Sequence, residues 1–164
     1  MNKARIELLA NVAIILATVV FVAVVINKYY QPNKLSSGPV GETVTLPEVD
    51  WKKNGHTVVL ALQEGCHFCT ESAAFYKRLS MPLGEVSSVS IVAVLPGETE
   101  SSHNYLSRLG LDLKEIRQAS LKSIKADATP SLLVIDSTGR VIAAWVGKLD
   151  TQQENEVIEK LKRL

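Results

Sequence analysis

The chain has two cysteines, and both belong to one C-x-x-C, Cys66-His67-Phe68-Cys69. What flanks this pair constrains the fold more than any other feature. Before it, His56 to Leu62 contains the unbroken apolar run TVVLAL, which suits a strand buried on both faces of a parallel or mixed sheet with helices on either side. After it, Thr70 to Leu79 places Ala73, Ala74, Phe75 and Leu79 on an apolar side and reads as a helix, with Pro82 and Gly84 expected to stop it. The pair therefore falls at a strand-to-helix junction. A disulfide scaffold would need more cysteines at wider spacing. So small a ring also constrains the unfolded chain little.

The rest of the chain extends the same pattern. Val44 to Leu46 reads as a short edge strand ended by Pro47. Val89 to Leu95 (VSIVAVL) is a second buried strand, and Ser101 to Leu109 a helix ending at Gly110. Leu111 to Lys125 fits a short strand and a short helix equally. Ser131 to Ile135 is a third strand, and Asp136 to Gly139 a turn into an antiparallel partner, Val141 to Val146. Thr151 with Glu154 reads as a capping box before a closing helix that carries Val157, Ile158, Leu161 and Leu164 on one face. Strand, helix, strand, helix, hairpin and helix predict a mixed α/β fold around a central sheet.

Leu8 to Ile26 is a run of 19 residues without a charge. As a helix it reaches roughly 28 Å, against about 30 Å for the hydrocarbon core of a bilayer. It is longer than a signal-peptide core and ends in no small-x-small site. Tyr29 and Tyr30 follow it as interfacial aromatics do. Residues 1–30 are therefore expected to be a membrane anchor, residues 31–41 (QPNKLSSGPVG) a flexible linker, and residues 42–164 the folded domain. Lys3 and Arg5 before the span and Lys28 and Lys34 after it nearly balance, so charge does not orient it. With 18 basic and 17 acidic residues, no nucleic-acid partner is expected.

At a helix N-terminus, free N–H groups stabilise a thiolate, and the thiolate is what attacks a disulfide. Cys66 is thus the candidate attacking thiol and Cys69, one turn on, the resolving one. His67 adds positive charge when protonated, and Phe68 suits a rim position without a chemical role. A zinc site would need two further ligands, and His56 and His103 have no metal-type spacing. Haem attachment needs His after the second Cys, where Thr70 stands. No metal and no cofactor are expected, and His56 and His103 read as bystanders.

With Thr129-Pro130 opening a later strand, the chain from about Val40 to Leu164 resembles the thioredoxin-like superfamily. Within it, the chain is most similar to the membrane-anchored TlpA-type or redoxin-like branch. Gly41 to Pro47 (GETVTLP) and Ala128 to Asp136 (ATPSLLVID), with Thr138 to Val141 and Gly147, carry that resemblance. It implies a cis Pro130 facing Cys66 and a Thr129 backbone that contacts substrate. Without the C-x-x-C, a trans proline at a strand start would serve as well. Thioredoxins carry Trp where Gly65 stands and a buried acid where Leu60 stands. The TlpA-type branch often has Glu where Ser72 stands, and peroxiredoxins have Thr where Gln63 stands. Glu64 and Glu71 are near but match neither pattern, so the resemblance assigns no proton acceptor to Cys69.

The resemblance implies a thiol–disulfide oxidoreductase acting on exported proteins outside the cytoplasm, with protein thiols and disulfides as substrates and a separate redox partner. His67-Phe68 differs from the pairs of both reducing and strongly oxidising relatives, so direction stays open. The alternative is a non-enzymatic thiol module for copper delivery or protein assembly, with His103 as a third ligand. A redox sensor is a further possibility that the few residues before the span do not support.

Overall fold

A computed structural model describes the backbone of residues 3–29, 38–86 and 89–164, and side chains for residues 11–24, 38–53, 55–80 and 89–164. The chain divides into two units, Met1–Lys34 and Leu35–Leu164. In the first, α1 spans Lys3–Tyr29, and the described side chains from Val12 to Val24 are exposed, Phe21 and Ile14 among them. Thr18 returns its hydroxyl to the Ile14 carbonyl at 2.7 Å, so the one polar side chain past Asn11 is satisfied within the helix. Among the described residues, no helix is long and apolar enough to cross a membrane. The side chains at both ends of the Leu8–Ile26 run lie outside the described ones, and Tyr30 and linker residues 31–37 lie outside the described residues.

The second unit is built on five strands: β1 (His56–Ala61), β2 (Val89–Leu95), β3 (Glu115–Gln118), β4 (Ser131–Asp136) and β5 (Val141–Val146), in the order β3-β2-β1-β4-β5. β1 pairs in parallel with β2 and antiparallel with β4, and β5 closes the edge antiparallel to β4. The central place of β1 explains why its sequence does not alternate. Val58 and Leu60 face one core, Val59 and Ala61 the other, and all four are at most 1% exposed. Fully burying one such Val or Leu side chain contributes about 1.5–3 kcal/mol.

One core takes α2 (His67–Glu71), α3 (Ala73–Val86), α4 (Thr99–Arg108) and α5 (Thr151–Leu161) through Cys69, Phe75, Leu79, Leu106, Val157 and Leu161. The other core is covered by irregular chain carrying Val44 and Leu46 and by the 3-10 turns Trp51–Asn54 and Leu121–Ile124, where the sequence suggested a helix on either side. Compact apolar side chains seal that face without a long helix.

Other differences are local. The expected Val44–Leu46 strand is reduced to a bridge between Thr43 and Arg140, because Pro47 lacks an N–H and Glu48 turns to φ 61°. The linker's last residue is tied down: Gly41 N–H donates to the Val141 carbonyl at 2.8 Å. The predicted Thr70–Leu79 helix is two helices meeting at Ser72, and α3 continues past Pro82 and Gly84 to Val86. Proline there removes one ladder bond, which the packing of Phe75, Tyr76 and Leu79 outweighs. The ambiguous stretch from Leu111 to Lys125 holds both a strand and a short 3-10 turn. The capping box of α5 starts one residue earlier than predicted. Asp150 accepts from Gln153 N–H at 2.9 Å and the Gln153 side chain returns to Asp150 N–H, because a carboxylate is the stronger acceptor. Leu164 lies past the end of α5 and is 38% exposed, so it leaves the predicted apolar face.

Candidate active site

The strand-to-helix turn sets the position of Cys66. After Leu62 the chain reverses through Gly65 at φ +78°, and Cys66 N–H donates to the Gln63 carbonyl at 3.2 Å. An added Cβ at Gly65 would meet nothing within 4 Å, so glycine is required by conformation rather than space. That also explains why no bulky aromatic precedes Cys66. Cys66 is then the N-cap of α2, and its Sγ accepts from Cys69 N–H at 3.1 Å. The sulfur thus occupies the place of a capping oxygen, where a thiolate is favoured over a thiol.

Cys66 and Cys69 lie at disulfide distance, with Cα atoms 5.3 Å apart. Cys66 is half-buried and Cys69 fully buried. His67 and Phe68 point outward, Phe68 53% exposed, with ring centroids 5.7 Å apart. Only Cys66 is open to an incoming disulfide.

Across from the pair, the Thr129–Pro130 bond is cis, and the Thr129 carbonyl oxygen lies 3.5 Å from Cys66 Sγ. Pro130 is buried, and its carbonyl accepts from Gly147 N–H at 2.7 Å. Four of the sequence-predicted residues, Cys66, Cys69, Thr129 and Pro130, are thereby brought together. His67 and Phe68 border them on the solvent side.

Two carboxylates flank the site. Glu71 accepts from Lys148 Nζ at 3.0 Å and lies 3.3 Å from His67 Nε2. The hydrogen bond from Lys148 holds its carboxyl below the usual range, with His67 adding charge attraction. Glu64 accepts from the Ser101 hydroxyl at 2.9 Å and pairs with Arg108, which together hold its carboxyl low. The His67–Glu71 pair was legible as an i,i+4 spacing. Lys148 was not, since it comes from the far side of the hairpin.

Leu60 is core, in the same cluster as Cys69, and Gln63 is exposed. Ser72 is buried at 4% exposure, one turn beyond Cys69. His56 opens β1, at the end of the strand remote from Cys66, and His103 is exposed on α4. Among the described residues, no three metal-type side chains converge.

No family model matches this chain, and no curated protein matches it. Solved structures do. A Chlorobium tepidum structure assigned as a thiol:disulfide interchange protein DsbE is 14% identical, with a TM-score of 0.60 over 79% of this chain and 97% of that one. The thioredoxin domain of a thiol-disulfide oxidoreductase from Bacteroides vulgatus is 15% identical, with a TM-score of 0.56 over 77% and 97%. A secreted Mycobacterium tuberculosis disulfide oxidoreductase is 11% identical, with a TM-score of 0.53 over 69% and 84%. The fold is thioredoxin-like, and Cys66 and Cys69 form a C-x-x-C pair within it.

Proposed function

We propose that this chain is a thiol–disulfide oxidoreductase that acts on disulfides of exported proteins through a Cys66/Cys69 dithiol–disulfide cycle. The observation that carries the proposal is the asymmetry of the pair. Cys66 Sγ is open to solvent and accepts the Cys69 N–H, while Cys69 is fully buried.

In the reducing direction, the Cys66 thiolate attacks a substrate disulfide. A Cys66–substrate S–S bond forms and the other substrate sulfur leaves as a thiolate. Cys69 then attacks Cys66, the ring closes, and the second substrate sulfur is released. Oxidation of a substrate runs the same steps backwards, and the reduction potential of the pair sets the direction. In our reading the Thr129 backbone lies along the substrate chain, with His67 and Phe68 at the rim.

We further propose that residues 8–26 anchor the chain in a membrane, with the domain outside the cytoplasm. The uncharged run and its exposed apolar side chains support the anchor. The secreted Mycobacterium tuberculosis oxidoreductase of the same fold supports the location.

The test is turnover by the full-length chain in detergent, reading insulin reduction and the refolding of a reduced disulfide protein. Activity in either assay that Cys66→Ser removes supports the proposal. No activity above the Cys66→Ser background in both would refute it.

A further inference from the structure

The two walls of the site come from distant parts of the chain. Cys66 caps α2, and His67, Phe68 and Cys69 lie on it. Facing them is the cis Thr129–Pro130 bond. The Pro130 carbonyl accepts from Gly147 N–H at 2.7 Å, so the proline loop and the end of β5 are held together. Cys66 Sγ and the Thr129 carbonyl oxygen, 3.5 Å apart, mark the gap between the walls.

One ion pair joins the two walls beside that gap. Glu71, the last residue of α2, accepts from Lys148 Nζ at 3.0 Å. Both backbones are fixed where the pair forms. Glu71 is followed by Ser72, 4% exposed, and stands two residues after Cys69, 0% exposed. Lys148 lies between Gly147, which is bonded to Pro130, and Leu149, 7% exposed. An exposed ion pair is weak chiefly because two long side chains must be held in one geometry. Here the carboxylate is oriented twice, since its other oxygen lies 3.3 Å from His67 Nε2. The circuit closes around the site: from Cys66 to Thr129 and Pro130, through Gly147 to Lys148, over Glu71 and back along α2.

We propose that Glu71 and Lys148 are positioning residues whose ion pair is a strut setting the gap between Cys66 and the Thr129 backbone, and with it the fit of a substrate chain. The strut rests on the dithiol cycle proposed above, with the substrate chain lying along Thr129. Neither side chain enters the sulfur chemistry. A peptide disulfide has to fit between both walls, whereas a small disulfide needs only the Cys66 sulfur. Loss of the strut therefore penalises the first and spares the second. The charges of Glu71 and Lys148 also act on Cys66 through space, but that effect is the same for every disulfide that meets the thiolate.

The test measures second-order rate constants for the reduced full-length chain in detergent with two uncharged probes. One is 2-hydroxyethyl disulfide, and the other is the disulfide-linked dimer of a neutral, end-capped cysteine peptide. The ratio of the peptide constant to the small-probe constant cancels any change in Cys66 ionisation. Glu71→Lys and Lys148→Glu should each lower that ratio on the order of fivefold, the upper range for an exposed ion pair. Glu71→Gln and Lys148→Met, which remove the pair without repulsion, should lower it by less. The Glu71→Lys/Lys148→Glu double variant rebuilds the pair with its charges exchanged and should recover the parent ratio. An unchanged ratio in both single reversals, or a double variant at least as impaired as either, would overturn the strut. If the parent reacts with both probes and the ratio does not move, the strut alone fails. If the parent reacts with neither, the oxidoreductase proposal fails and takes the strut with it.

Discussion

The sulfur of Cys66 lies 3.5 Å from the carbonyl oxygen of Thr129, a residue 63 positions along the chain. That carbonyl favours the protonated thiol, to which it can serve as acceptor. The Cys69 N–H, at 3.1 Å, favours the thiolate. The shorter contact, made by a donor directed at the sulfur, should win. Reduced Cys66 is therefore predicted to ionise below the free-cysteine value of about 8.5, and buried Cys69 to stay unreactive. Alkylation by iodoacetamide as a function of pH checks both. A Cys66 midpoint at or above that value would show that the carbonyl dominates.

Gly65 supplies a second prediction. Its φ of +78° is disfavoured for residues with a Cβ, although a Cβ would meet no neighbour. Gly65→Ala should therefore lower stability by about 1–2 kcal/mol, and Gly65→Asn by less, because Asn enters the left-handed region more readily. Urea denaturation of the three proteins gives the order.

Leu60 separates packing from chemistry. At 1% exposure beside Cys69, it should cost about 2–5 kcal/mol when truncated to Ala. Because it moves no proton, the pH dependence of disulfide exchange by folded Leu60→Ala should match that of the parent. A displaced pH profile would give the position a chemical role.

Asp136 predicts an acid-dependent loss of stability in the β4–β5 hairpin. Its Oδ1 accepts from the Thr138 hydroxyl at 2.6 Å and from the N–H groups of Thr138 and Arg140. These bonds, the Thr138 hydroxyl first, lower its carboxyl below the ordinary range. A lowered folded pKa means the stabilisation is present above the unfolded value of about 3.9 and fades as pH falls through the folded value. Asp136→Ala should cost about 1 kcal/mol at neutral pH, and the gap to the parent should narrow below pH 4, as followed by urea midpoints.

Much of this architecture was legible in the chain itself. TVVLAL, VSIVAVL and SLLVI became the three inner strands because a central strand buries both faces and cannot alternate. The C-x-x-C fell where a strand gives way to a helix, and the capping role of Cys66 followed from that. What escaped was set by pairs distant in sequence. Lys148 meets Glu71 across 77 residues, from beyond the end of β5. Local competition also decided some ends: Asp150 displaced Thr151 as the cap of α5, and α3 ran through Pro82.

The central claim is that Cys66 attacks and Cys69 resolves, and trapping the intermediate tests it most directly. Full-length Cys69→Ser, incubated in detergent with a disulfide-containing protein substrate and analysed without reductant, should accumulate a covalent adduct through Cys66. The adduct should disappear on reduction and be absent from the Cys66→Ser/Cys69→Ser double variant. Failure of Cys69→Ser to form it, or an adduct that persists without Cys66, would contradict the account.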